Sequence, residues 1–110
     1  MEKLYVIVRR DLSSEYQAVQ SIHAAVNFVM ENPEIGARWF RESNTLVLLS
    51  VSDEEALYKL VQKAQDRGIT AVMFKEPDIG DRVTAIALEP GTPTSRLCKN
   101  LPKWRIDALS

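Results

Sequence analysis

The order of apolar runs and helical patterns constrains the fold of this chain more than any other feature. Four runs have strand length and strand composition, and helical periodicity fills the gaps between the first three of them. The order β-α-(α)-β-α-β-β predicts an α/β protein, a three-layer sandwich in which helices flank a small mixed sheet of four strands. Strands separated by helices favour parallel pairing, and the short last connection permits an antiparallel pair. The predicted strands are Lys3 to Val8, Thr45 to Val51, Thr70 to Phe74 and Val83 to Leu88.

Capping signals delimit the helices between these strands. Serines precede two of the helical patterns, and Ser52-Asp53-Glu54-Glu55 has the form of a capping box. A proline opens the short second pattern, and Gly68 follows the third. The predicted helices run from Ser13 or Ser14 to about Met30, from Pro33 to about Phe40, from Ser52 to about Asp66, and around Ser95 to Asn100.

The length of the chain and the distribution of its charges limit its domain organisation. At 110 residues we expect one domain over residues 1–90 and a basic C-terminal extension over residues 91–110. The first segment carries ten Lys or Arg against fourteen Asp or Glu, whereas the extension carries four basic residues against Asp107. Such a tail can contact phosphate or can be an ordinary solvated terminus. A single cysteine, Cys98, indicates a reducing, cytoplasmic setting, and no leader or membrane-spanning run is expected.

The first helix carries a polar stripe and an apolar stripe. Tyr16, Gln20, His23 and Asn27 are spaced so that they share one side of the helix. Their donors and acceptors can bind an ester, an amide or the edge of a base. His23, the lone histidine, can also be a hydrogen-bonded structural group. The opposite stripe is expected to be the core face, and it holds Val19, Ile22, Val26, Val29 and Met30.

Two arginines and an aspartate follow the first strand directly. In sheets of this kind, ligands bind at the carboxyl ends of the strands, where Arg9, Arg10 and Asp11 are expected. Successive strand residues point to opposite faces, so at most one arginine faces the crevice. Asp11 is either a functional carboxylate or a structural residue, as half of a salt bridge or as a helix cap.

The loop from Phe74 to Arg82 offers further polar groups. Asp78 lies beside Gly80, where backbone can approach a ligand closely, and Thr84 can aim its hydroxyl into the same crevice. The alternative interpretations are a solvated turn and ordinary β-propensity. No phosphate-binding loop, dinucleotide fingerprint, nucleophile elbow or zinc-binding spacing is present, so no metal or cofactor is predicted.

Taken together, these residues resemble the type-2, archaeal and eukaryotic-type, peptidyl-tRNA hydrolases. The resemblance covers about residues 3–90 and is most specific where Arg9-x-Asp11-Leu12 precedes Gln20-x-x-His23-Ala24-Ala25. It implies an α/β sandwich, usually a homodimer, that hydrolyses the ester between a peptide and tRNA without a cofactor. The Ser52 to Leu57 helix start and the final strand Thr84 to Ala87 also fit the family pattern.

The resemblance also assigns roles to individual residues. Tyr16 stands where the family has a lysine, and Asp78 stands in for its aspartate after the third strand. A catalytically inactive relative that binds RNA, a peptide or a protein through the same crevice is the alternative, and a purely structural subunit is a third reading. For the hydrolase we expect catalytic roles for His23, Asp78 and Asp11 and substrate binding by Arg9, Tyr16, Gln20 and Thr84.

Overall fold

The strands and helices of the computed structural model, which describes residues 2–105, follow the order expected from the sequence. The strands are β1 (Lys3–Arg9), β2 (Thr45–Val51), β3 (Ala71–Glu76) and β4 (Arg82–Leu88). A single 3₁₀ turn, Pro77–Ile79, separates β3 from β4. The α-helices of this described range are α1 (Ser14–Glu31), α2 (Pro33–Glu42), α3 (Glu54–Asp66) and α4 (Thr92–Cys98).

The four strands form one mixed sheet in the order β2-β1-β4-β3. β1 runs parallel to β2, with Lys3 opposite Thr45, whereas β4 is antiparallel to both of its neighbours. The connection through α3 therefore carries the chain from one edge of the sheet to the other. The predicted mixed sheet and α/β class are confirmed.

Helices cover both faces of this sheet, which produces two apolar cores. On one face, side chains of α3 and α4 pack against Ile7 and Ile86. On the other, Phe28 of α1 and Trp39 of α2 pack against Val8. Because β1 is covered on both sides, its sequence is a continuous apolar run rather than an alternating one.

The N-cap predicted from the sequence is confirmed at α1 but not at α3. Ser13 caps α1 by accepting a hydrogen bond from the Tyr16 amide at 3.4 Å. At α3 the cap is Asp53, whose carboxylate accepts from the Ala56 amide at 2.9 Å, so the expected capping box that starts at Ser52 is wrong by one residue. An ionised carboxylate is favoured at the positive end of a helix.

Helix α1 is rotated relative to the orientation that its apolar stripe suggested. The side facing the sheet contains Gln17, Gln20 and Ser21 with Ala24 and Phe28. The expectation that the apolar stripe faces the core is wrong, because the buried polar groups of α1 find hydrogen-bond partners and so can be buried. The outer side is exposed and holds Val19, Ile22, Val26 and Met30, with exposed fractions of 48%, 63%, 56% and 74%.

The C-terminal segment packs against the rest of the molecule. Cys98 of α4 is buried in the core beneath α3. Beyond α4 the chain runs along the outer edge of β2, where the Ser50 amide donates to the Pro102 carbonyl at 2.9 Å and the Trp104 amide to the Leu48 carbonyl at 3.0 Å. The remainder of the predicted extension, including Asp107, lies outside the described residues. No helix within residues 2–105 has the length and apolar character needed to cross a membrane.

Candidate active site

An irregularity between β3 and β4 determines where Thr84 points. Phe74 lies opposite Ala85, but the next residue, Lys75, lies opposite Val83, so Thr84 is the extra residue of a β-bulge. A bulge bends its strand and re-aims a side chain. Here the Thr84 side chain points toward α1, on the same face as Ala85.

The re-aimed hydroxyl begins a buried chain of hydrogen bonds. Thr84 Oγ1 donates to Gln20 Oε1 at 2.5 Å, and Gln20 Nε2 donates to Glu76 Oε1 at 3.0 Å. Gln20 and Thr84 are completely buried, and Glu76 is 8% exposed. Because the amide oxygen accepts and the amide nitrogen donates, the orientation of the Gln20 side chain is fixed. This series of hydrogen bonds connects α1 to the facing ends of β3 and β4.

Tyr16 and Asp78 lie at the open side of Glu76. The pKa of the Tyr16 phenol is raised by desolvation, by the negative charges of Glu76 and Asp78, and by hydrogen bonding to Glu76. The phenol therefore stays protonated and can donate a hydrogen bond. Asp78 is exposed on the 3₁₀ turn, which ends at Gly80 in the left-handed region at φ 73°. Glycine adopts this conformation without steric cost.

His23 lies farther along the same side of α1. Its ring stacks on Phe74 of β3, with centroids 4.7 Å apart and the planes 10° from parallel. The residue is exposed, and with Asn27 and Lys75 it lines a groove between α1 and β3. The stacking fixes the plane of the imidazole while leaving the side chain open to solvent.

Arg9 and Asp11 form a separate cluster at the end of β1. Arg9 Nε and Nη2 donate to the two carboxylate oxygens of Asp11 at 2.6 and 2.9 Å. Arg9 Nη1 also donates to the Val83 carbonyl at 3.2 Å and lies 3.9 Å from the Glu54 carboxylate. The hydrogen bond from Arg9 lowers the pKa of Asp11, and the same bond raises the pKa of Arg9. Both oxygens of Asp11 are therefore engaged.

The structure thus brings together some of the predicted residues and leaves others apart. Tyr16, Gln20, Asp78 and Thr84 gather around one carboxylate, whereas Arg9 and Asp11 pair with each other. Arg9 reaches the site only through the backbone of Val83, the residue before Thr84. Within residues 2–105 no group of three or more His, Cys, Asp and Glu side chains is arranged to hold a metal ion.

Glu76 is the central residue of this site that the sequence reasoning missed. The sequence pattern predicts Glu76 in the charged loop from Phe74 to Arg82, whereas in the structure it is the last residue of β3 and is buried. A signal was available: Val72, Phe74 and Glu76 alternate, and Pro77 follows. An acidic residue that continues the inward alternation of a strand is a candidate for a buried, hydrogen-bonded carboxylate.

Comparison with solved structures defines the class of fold. The chain resembles the structure of a protein of unknown function from Agrobacterium tumefaciens strain C58, with a TM-score of 0.67 and 17% sequence identity. The match covers 94% of this chain and 98% of that one. The two proteins share an α/β fold over nearly their whole lengths.

Sequence comparison then identifies the family. The family model described as peptidyl-tRNA hydrolase PTH2 matches residues 2–105. A protein from Methanopyrus kandleri strain AV19 named peptidyl-tRNA hydrolase is 32% identical over 99 residues, which cover 86% of this chain and 80% of that protein. The chain belongs to the peptidyl-tRNA hydrolase PTH2 family, which confirms the resemblance drawn from Arg9-x-Asp11-Leu12 and Gln20-x-x-His23.

Proposed function

We propose that this chain hydrolyses the ester bond between the peptide and the tRNA of peptidyl-tRNA. The observation that carries the proposal is the family match over residues 2–105, supported by a relative that bears the name of this activity. The crevice around Glu76 supplies carboxylates and a phenol. The imidazole of His23 lies farther along α1, in the groove between α1 and β3. In the reaction, water attacks the ester carbonyl, the ribose oxygen leaves, and the products are a free peptide and tRNA.

We assign water activation to Asp78 and oxyanion stabilisation to Tyr16. Asp78 is exposed, so water can reach its carboxylate, which accepts a proton as the water attacks. Tyr16 is protonated, and its single O–H, which is hydrogen-bonded to Glu76 in the free protein, is assigned to turn to the carbonyl oxygen as charge develops there. A lysine at this position would offer a positive charge, whereas tyrosine offers a hydrogen bond alone.

We assign the remaining residues to supporting roles. Gln20 and Thr84 are buried behind Glu76, where Gln20 holds the carboxylate and Thr84 holds Gln20, so we assign neither of them to contact with the acyl group. His23 is assigned to protonation of the leaving ribose oxygen, because it is exposed and its ring plane is fixed by Phe74. Both oxygens of Asp11 are occupied by Arg9, which supports a positioning role for this pair at the end of β1.

The proposal is tested with purified protein and N-acetylated aminoacyl-tRNA, by measuring released tRNA. We expect enzyme-dependent release, with kcat/KM reduced about 10²- to 10⁴-fold in Asp78→Asn as general-base catalysis is lost. Asp66→Asn, an exposed carboxylate at the end of α3, is the matched control. Equal rates with and without protein would overturn the hydrolase, and tRNA binding without release would favour the inactive relative. An unaffected Asp78→Asn variant would remove Asp78 from the mechanism.

We also propose that the protein is a homodimer that associates through the outer side of α1. Exposed apolar side chains of α1 adjoin exposed Leu46 of β2, and the groove between them is lined by Val6, Ile22, Val26 and other mainly apolar residues. Monomers rarely expose a continuous apolar surface of this kind. A second copy is the occupant we favour, because one apolar helix face can pair with its own copy about a twofold axis.

The cytoplasm is the setting we propose for this activity. The substrate is a product of translation, and the described cysteine, Cys98, is a buried free thiol that suits a reducing compartment.

A further inference from the structure

A cavity of about 790 Å³ lies beside the candidate active site and shares none of its residues. It opens between the start of α1, the end of β2 and the C-terminal segment. Its walls include Arg10, Ser13, Gln17, Ser50, Lys103, Trp104 and Arg105.

The charge of this cavity is opposite in sign to that of the whole chain. Three cationic side chains, from Arg10, Lys103 and Arg105, line it, and none of the lining residues within 2–105 carries a carboxylate. Arg10 is oriented by a 3.1 Å hydrogen bond from Nη1 to Ser50 Oγ. Within residues 2–105, the salt bridges are made by other cations. Positive charge therefore converges from three points of a chain whose net charge is −1.

A fixed aromatic ring accompanies these charges. Trp104 Nε1 donates to Gln17 Oε1 at 2.8 Å. Gln17 Nε2 in turn donates to the Leu12 carbonyl at 2.6 Å and the Arg10 carbonyl at 3.2 Å. The indole is thus held against the β1–α1 turn while the residue stays half-buried at the cavity wall. An immobilised aromatic ring beside several cations is the arrangement that binds single-stranded nucleic acid.

We propose that this cavity binds RNA, with the cations contacting backbone phosphates and Trp104 stacking on one unpaired base. The inference rests on the proposed function and extends it by giving the tRNA a second contact site. Arg10 and Leu12 flank Asp11 in the chain, and Gln17 follows Tyr16 on α1, so the cavity and the crevice are both built in part from the β1–α1 turn and the first turns of α1. An RNA strand whose acylated end occupies the crevice continues into the cavity.

The salt dependence of tRNA binding tests the phosphate contacts. Filter binding of deacylated tRNA is measured over a salt series for wild type, Arg10→Gln and Lys103→Gln. Each cavity variant should bind more weakly and should lower the slope of log K against log salt by about 0.7 to 0.9 for one lost contact. Lys63→Gln, an exposed cation on α3 in the opposite layer, is the matched control and should keep the wild-type slope. Cavity variants that keep the control's slope would overturn the proposal.

Tryptophan fluorescence tests the stacking contact. A short single-stranded RNA should quench the wild type, and the quenching should be lost in Trp104→Phe, which retains buried Trp39. Poly-glutamate of matched charge should bind several-fold more weakly than RNA, because it offers no base to stack. Equal binding of the two polyanions would overturn the assignment to RNA.

A kinetic comparison separates failure of this inference from failure of the proposed hydrolase. In Lys103→Gln, KM for N-acetylaminoacyl-tRNA should rise several-fold more than KM for N-acetylaminoacyl-adenosine, which lacks the rest of the tRNA. A wild type that cleaves neither ester but binds tRNA through the cavity would sustain the inference and refute the hydrolase. If the wild type cleaves both esters and the cavity variants bind tRNA normally, the hydrolase is supported and the RNA-binding cavity is refuted.

Discussion

At the scale of single residues, Gln20 joins Tyr16 in hydrogen bonding to the buried carboxylate of Glu76. Its amide both donates to Glu76 and accepts from Thr84, so one side chain satisfies two buried partners. An uncompensated carboxylate in a nearly solvent-free site is costly. The same residue therefore supports the fold and the shape of the crevice.

Replacing Gln20 by leucine should lower the free energy of unfolding by about 1–3 kcal/mol, because Glu76 and Thr84 each lose a partner. Urea denaturation measures the change. Gln65→Leu, at an exposed position of α3, is the control and should stay within about 0.5 kcal/mol of wild type. Equal stability of the two variants would show that the buried hydrogen bonds contribute nothing measurable.

The ion pair of Arg9 and Asp11 predicts a dependence of stability on acid. Because Arg9 lowers the pKa of Asp11 in the folded state, the pair stabilises the protein above the ordinary aspartate pKa of about 3.9. This stabilisation disappears as the pH falls through the lower, folded-state pKa. The Asp11 side chain is 40% exposed, so the contribution should be below about 1 kcal/mol.

The measurement is urea denaturation at pH 7 and at pH 3, with wild type and Asp11→Asn compared. The variant should be less stable at pH 7, and the difference should shrink at pH 3. Asp66→Asn is again the control, and a difference that is constant across pH would contradict the prediction.

The sequence predicts several of the residues that lie around the buried carboxylate, but not Glu76 itself. Tyr16, Gln20 and Thr84 are predictable as candidates because helix periodicity and motif spacing are local properties. The contact between Gln20 and Glu76 joins residues 56 apart in the chain, so it depends on how α1 sits over β3. The direction of Thr84 depends on a shift in strand register, which has no simple sequence signal.

At the scale of elements, α1 shows why an apolar stripe does not by itself identify the core face. Periodicity correctly predicts a helix with two distinct sides. The inner side packs against the sheet, and the outer side is the one we propose as the dimer interface. The inner side holds the hydrogen-bonded polar residues Gln17, Gln20 and Ser21, and the outer side carries the apolar residues. Two sides of α1 therefore fit a buried surface equally well by pattern alone, and the prediction that the apolar side faces the core is wrong.

The outer side of α1 predicts the assembly state. Ile22→Asp places a charge in the proposed interface, so the protein should elute as a monomer, whereas wild type should be a dimer. Light scattering coupled to size-exclusion chromatography measures the mass. Tyr58→Asp, at an exposed position of α3, is the control and should remain dimeric. A monomeric wild type would refute the proposed interface.

At the scale of the whole molecule, the C-terminal segment connects parts of the fold that are distant in sequence. It covers the outer edge of β2, where Leu49 and Lys103 form an antiparallel bridge, and it reaches α1 through Trp104. An uncovered edge strand would be open to pairing with another chain. Residues 101–104 therefore belong structurally with the sheet.

Trp104→Phe should loosen this segment, because it removes the indole donor to Gln17 and leaves the amide oxygen without that partner. We expect a loss of about 1–3 kcal/mol and faster hydrogen exchange at the Ser50 amide, which donates to Pro102. Tyr58→Phe, an exposed aromatic that loses its hydroxyl, is the control. Unchanged exchange at Ser50 would show that the segment is held independently of Trp104.

The α/β class of the fold could be predicted from the sequence, but the order of the strands in the sheet could not. Alternating strands and helices required a layered α/β fold, and the short last connection favoured an antiparallel neighbour for β4. The insertion of β4 between β1 and β3 depends on contacts between the two ends of the chain, which local patterns do not encode.

The pairing of β1 with β4 determines when the sheet can be completed during synthesis. Tyr5 is paired with Leu88, so the middle of the sheet cannot close until nearly the whole chain has been synthesised. At about 5–20 residues per second, β1 waits roughly 4 to 17 seconds for its antiparallel neighbour. During that interval the edge of β1 that later pairs with β4 stays open, even when β2 already pairs with the other edge, and an open strand edge can pair with another chain.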